Sequence, residues 1–191
     1  MSLGKKVVIT GVPGVGKTTV INGALELLKG EGVVYRSINF GTFMFEVASA
    51  EGLVKDRDEM RTLSQDVQRR LQKTAAEKIA RIEEHIIVDT HCTVKTPKGF
   101  LAGLPEWVLR ELMPDIFVLV ETDEDQILHR RLSDATRIRD MEGYQGIKDH
   151  QQFNRAIAAS YAMLTGCTVK TIQNPDFLLD NAIAEMAELL R

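Results

Sequence analysis

Short apolar, β-branched runs punctuate the chain at Val7–Thr10, Val33–Ile38, Ile86–Asp89, Ile116–Val120 and Thr168–Ile172. All but the second are unbroken in the way of strands buried on both faces. Between them the pattern changes to a helical period. Val67, Leu71, Ala75, Ile79 and Ile82 share one face, with Arg69, Arg70, Lys73 and Glu77 largely elsewhere. Phe153, Ile157, Tyr161 and Leu164 repeat that spacing, and Leu179, Ala182, Ile183, Met186 and Leu190 repeat it at the end. Strands alternating with helices predict a parallel sheet covered by helices on both sides. With no internal repeat, low-complexity segment or linker, residues 1–191 read as a single α/β domain.

The spacing between strands adds two insertions. Residues 39–85 separate the second and third runs, far more than the roughly dozen residues a simple crossover needs. The excess is mostly helical, at about Phe43–Ser49 and then Ser64–Glu83. A second excess lies between Glu121 and Gly166, beginning as a helix and passing through the polar stretch Asp134–Asp149. Insertions at the carboxyl edge of a parallel sheet suit a two-substrate enzyme that closes over its ligands, against the alternative of helices without a role.

Chemistry enters at Gly11-Val12-Pro13-Gly14-Val15-Gly16-Lys17-Thr18-Thr19. A strand precedes this segment and a helix from Thr18 to Leu28 follows, the context of a working phosphate-binding P-loop. The glycines let backbone N–H groups turn around a polyphosphate, and the helix N-terminus adds favourable partial charge. Lys17 reaches the β- and γ-phosphates of such a ligand, and the Thr18 hydroxyl is placed for Mg²⁺. A nucleoside triphosphate is the expected ligand.

Composition narrows the picture. Apolar residues are 44% and charged residues 27%, ordinary for a globular protein, and the formal net charge of −3 gives no basic face for general nucleic-acid binding. Cys92 and Cys167 cannot form a four-cysteine zinc site and read as free thiols of a reducing compartment. No stretch has the length of a membrane-spanning helix, and no signal peptide is visible, so the expectation is a cytoplasmic protein.

Further candidates cluster around the strand ends. Asp89 closes an apolar strand, where P-loop proteins commonly place a carboxylate near Mg²⁺; a turn or cap role is the alternative. Arg130, Arg131, Arg137 and Arg139 crowd one segment, apt for neutralising a transferring phosphoryl group, or else for pairing with Asp134 and Asp140. Asn39-Phe40-Gly41-Thr42 opens a helix able to take a phosphate or a ribose hydroxyl. Arg57 and Arg61, one helical turn apart, can face one anion or simply join a surface charge array. Phe43, Met44 and Phe45 shelter a base or belong to the core. The polar stretch Thr90–Phe100 reads as a loop at the substrate edge, and His91 within it lacks an identified partner. A phosphate acceptor is already anionic and needs no general base, whereas an alcohol does. Apart from Asp89 no base is evident, which leans towards a nucleotide acceptor.

These residues bring a family into view. Gly-x-Pro-Gly-x-Gly-Lys-Thr-Thr is similar to the P-loop of the nucleoside monophosphate kinases. Residues 39–48, 88–99 and 132–140 together resemble the archaeal type of adenylate kinase, and the likeness runs through nearly the whole chain. The resemblance implies ATP + AMP ⇌ 2 ADP with Mg²⁺, serving adenine nucleotide balance. It implies a P-loop sandwich with a central five-stranded parallel sheet, a helical NMP-binding insertion at about 40–84, a short arginine-rich lid at about 130–149, and a homotrimer. By position, Gly11–Thr19 would take the ATP phosphates, with Thr18 and Asp89 around Mg²⁺. Thr42 and Arg57, with Arg61, would lie on the AMP side. Lys17, Arg130, Arg137 and Arg139 would act on the transferring phosphoryl.

The rivals are a small P-loop kinase acting on a pyrimidine nucleotide or a hydroxyl-bearing metabolite, and a regulatory nucleotide switch. The switch reading lacks the Asn-Lys-x-Asp signature of guanine recognition.

Overall fold

The computed structural model describes residues 4–133 and 143–191. Its main sheet has five parallel strands in the order β2-β3-β1-β6-β7, formed by β1 (Lys6–Thr10), β2 (Arg36–Asn39), β3 (Ile86–Asp89), β6 (Ile116–Glu121) and β7 (Thr168–Gln173). A separate hairpin pairs β4 (Thr93–Thr96) with β5 (Gly99–Ala102) in antiparallel fashion. The helices are α1 (Lys17–Gly30), α2 (Phe40–Ala50), α3 (Gln65–Ala80), α4 (Glu106–Leu112), α5 (Glu124–Ser133), α6 (Tyr144–Thr165) and α7 (Leu179–Leu190), with a 3₁₀ turn at Asp58–Thr62.

Side chains alternate across a strand, so an unbroken apolar run needs a core on each face. Both cores are present. Val8, Ile86, Val88, Phe117 and Leu119 pack with residues of α2, α3, α4 and α6. Val7, Ile9, Ile87, Val118 and Val120 pack with residues of α1, α5 and α7. The middles of the central strands are apolar on both faces for this reason, with polar residues only at strand ends.

Several expectations need correction. The second strand begins at Arg36, not Val33, and only Ile38 of its four residues is buried, as suits the edge of a sheet. Helix α2 starts at Phe40 rather than near Phe43, because the Asn39 side chain caps it by accepting from the Thr42 N–H at 3.0 Å. The stretch taken as a loop from Thr90 onward folds from Thr93 into the β4–β5 hairpin, held to α6 where Phe100 stacks on Phe153 with ring centroids 4.8 Å apart. Part of the polar stretch Asp134–Asp149 is the start of α6, whose first residue is Tyr144. Phe43, Met44 and Phe45 pack against the core.

Strand register sets up the site. Ile9 lies opposite Asp89 across β1 and β3, and Asn39 lies opposite Asp89 across β2 and β3. Three strands therefore end at one level, with the P-loop leaving β1 at the centre of the sheet.

Candidate active site

The P-loop runs from β1 to the first turn of α1. Gly14 and Gly16 have φ of 95° and 87°, the left-handed region where a side chain strains the backbone. At Gly11 the constraint is space, since a Cβ there would meet the Val120 carbonyl oxygen at 2.6 Å. The loop forms one side of a cleft of about 710 Å³ lined by residues 11–19 together with Asn39, Arg57, Asp89, His91 and Arg130.

Lys17 faces into this cleft. Its Nζ donates to Asp89 Oδ1 and, at 2.8 Å, to the Thr90 carbonyl. Lys17 and Asp89 side chains are only 11% and 17% exposed, so the pair is much less screened by solvent than a surface ion pair. Asn39 Nδ2 approaches the other Asp89 oxygen at 3.5 Å. His91 also lines the cleft, and desolvation together with the nearby Lys17 charge holds its pKa below the usual imidazole value.

The structure brings many of the sequence candidates together and separates others. Lys17, Thr18, Thr19, Asp89, Arg57 and Arg130 share the cleft with the P-loop glycines. Thr42 and Arg61 are not among its lining residues. Thr42 turns its hydroxyl to Asn39 Oδ1 at 3.1 Å. Arg61 belongs to the 3₁₀ turn that follows Arg57, and three residues per turn do not stack positions four apart on one face. Gly41 leaves room for Arg57, since a Cβ there would stand 3.1 Å from Arg57 Nη2.

Arg130 is already engaged. It donates from Nη1 to the Val15 carbonyl at 3.0 Å, from Nη2 to the Asn174 carbonyl at 2.9 Å, and to Asp176 from Nε at 2.9 Å and Nη2 at 2.6 Å. The expected pairing of the cluster with Asp134 and Asp140, and the candidates Arg137 and Arg139, lie outside the described residues. Sequence reasoning did not find Asp176 or Asn174 at this site, because both come from the far end of the chain, after β7.

Comparison with known proteins decides the family. The chain is 68% identical over 191 residues to the adenylate kinase of Methanoculleus marisnigri, covering 99% of this chain and 100% of that one. It belongs to the adenylate kinases. The adenylate kinases of Methanocaldococcus jannaschii, 58% identical over 189 residues, and Methanothermobacter thermautotrophicus, 52% over 188, are likewise matched along nearly their full lengths. Residues 10–148 also match the family model of the AAA domain. The resemblance to the archaeal type of adenylate kinase is thus borne out. Among solved structures, shikimate kinases from Bacteroides thetaiotaomicron and Acinetobacter baumannii share the fold, with TM-scores of 0.57 and 0.58 at 14% identity. They cover 97% and 98% of this adenylate kinase family member, and 98% and 93% of their own chains.

Proposed function

We propose that the chain catalyses Mg²⁺-dependent phosphoryl transfer between ATP and AMP, giving two ADP. One observation carries the reading: a single cleft joins the P-loop, the Lys17–Asp89 pair and Arg57. Two nucleotides meeting end to end need that sequence of groups, a polyphosphate cradle, a charge-balancing centre and a second cationic anchor.

On this reading residues 11–19 hold the ATP phosphates by their N–H groups, and Lys17 exchanges Asp89 for phosphate oxygens. Arg57 anchors the AMP phosphate from the helical insertion at about 40–84. Arg130, with Arg137 and Arg139 of the arginine-rich segment at about 130–149, offsets charge on the transferring phosphoryl. The AMP phosphate attacks as an anion, so no side chain has to remove a proton.

Among the described residues no group of three His, Cys, Asp or Glu forms a metal cluster. Mg²⁺ beside phosphates needs only one or two protein oxygens, and the Thr18 hydroxyl and Asp89 carboxylate both border the cleft. When bound, the ion would neutralise oxygens of the ATP phosphates. We propose further that it works as a homotrimer, as the resemblance to the archaeal type implies, and in the cytoplasm.

A metabolite kinase with the same fold is the rival, since the two shikimate kinases share it. ADP formation from Mg-ATP with AMP, GMP, CMP, UMP or dTMP, or with no acceptor, separates the readings. AMP alone among the five should drive turnover well above the control. Equal turnover without acceptor, or a preference for another nucleotide, would replace the substrate assignment.

A further inference from the structure

We propose that Asn174 and Arg131 are positioning residues for ATP, gripping the P-loop by its outer carbonyls so that its N–H groups stay aimed at the phosphates. The proposal rests on the reading that ATP occupies the P-loop. A loop that turns its N–H groups inward turns carbonyls outward, and those oxygens need donors when they are withdrawn from water. Here the donors come from two distant segments. Asn174 Nδ2 donates to the Val15 carbonyl at 2.8 Å, and Arg131 Nε donates to the Pro13 carbonyl at 2.7 Å.

Neither residue lines the cleft, and both are buried, at 4% and 7% exposure. Their influence on a bound nucleotide therefore passes through the loop. Asn174 is itself fixed, its N–H donating to the Glu121 carbonyl at 2.7 Å where β6 and β7 end. It comes so close that a Cβ on Gly16 would stand 2.5 Å from its Nδ2. Gly16 thus answers to the approaching amide as well as to its left-handed φ.

The division of labour with Arg130 follows. Arg130 also donates to the Val15 carbonyl but borders the cleft. With two donors on one oxygen, Arg130 can turn to a phosphate while Asn174 retains the loop. Arg131 occupies the last turn of α5, next to Arg130, so one helix end carries both a cleft arginine and a brace behind the loop.

The test compares Asn174→Leu, which removes the donor at similar size without changing charge, with Arg131→Met and Arg131→Lys. KM for ATP and for AMP is measured for each, with the Kd of Mg-ATP alone by titration calorimetry. Losing a donor to a buried carbonyl should raise both the ATP KM and the Kd about tenfold, leave the AMP KM within about twofold, and be largely reversed in Arg131→Lys relative to Arg131→Met. Equal rises in the two KM values would mean general loosening and overturn the proposal. Unchanged Mg-ATP affinity in Asn174→Leu, or Arg131→Lys no better than Arg131→Met, would do the same. Should Asn174→Leu not fold, the arginine pair decides. The calorimetric Kd needs no acceptor, so the wild-type–variant difference stands even if AMP proves not to be the second substrate.

Discussion

Lys17 rests between Asp89 and the Thr90 carbonyl, and on the proposed reading nucleotide binding would exchange these oxygens for those of phosphate. Its charge is the principal cation at the P-loop, and Lys17→Ala should lower kcat by about 10³-fold or more, equivalent to about 4 kcal/mol of transition-state stabilisation. A folded variant retaining a tenth of wild-type kcat would remove Lys17 from that role. Arg57 lines the cleft from the segment between α2 and α3, just before the 3₁₀ turn. Arg57→Ala should raise the AMP KM by about tenfold while changing the ATP KM little, the pattern of a lost ground-state anchor on one substrate. Steady-state kinetics with each nucleotide varied in turn reads the difference. An equal effect on both would move Arg57 out of the AMP site.

Among the elements, the P-loop shows what a sequence can and cannot disclose. Its glycines, lysine and threonines are contiguous, so strand, turn and helix were readable together. The strand-end carboxylate Asp89 was readable too, because an apolar run ending in Asp is local. The braces were not, since Pro13 and Arg131 lie 118 positions apart and Val15 and Asn174 lie 159 apart. No local periodicity encodes such a meeting; it follows from β6 lying beside β1, and β7 beside β6, in the sheet. Two other departures have local causes that pattern reading passed over. The Asn39 cap starts α2 three residues early, and the 3₁₀ turn after Arg57 does not stack Arg61 on the same face as Arg57. The turn Thr96–Gly99, where Gly99 has φ of 117°, made a hairpin of a segment whose polarity suggested a loop. The loop's own geometry gives a prediction. Gly16→Ala combines left-handed strain with a 2.5 Å approach to Asn174, so it should raise the ATP KM by more than about tenfold with a smaller effect on AMP. Wild-type ATP affinity in that variant would contradict the geometry described for the loop.

Across the whole molecule, two apolar cores clamp one parallel sheet, and the cleft forms where the sheet's central strands end. That arrangement is shared with kinases of quite different acceptors, so the architecture by itself leaves the second substrate open. Sequence identity to adenylate kinases along nearly the whole chain narrows it to AMP. The reaction has a property no metabolite kinase or switch shares: ADP alone is a complete set of substrates in the reverse direction. The decisive measurement incubates the protein with Mg²⁺ and ADP as the only nucleotide and follows all species by phosphorus NMR. ATP and AMP should rise together in equal amounts, and Lys17→Ala should leave ADP untouched over the same interval. Unchanged ADP with the wild-type protein, or release of phosphate and AMP without ATP, would contradict the account.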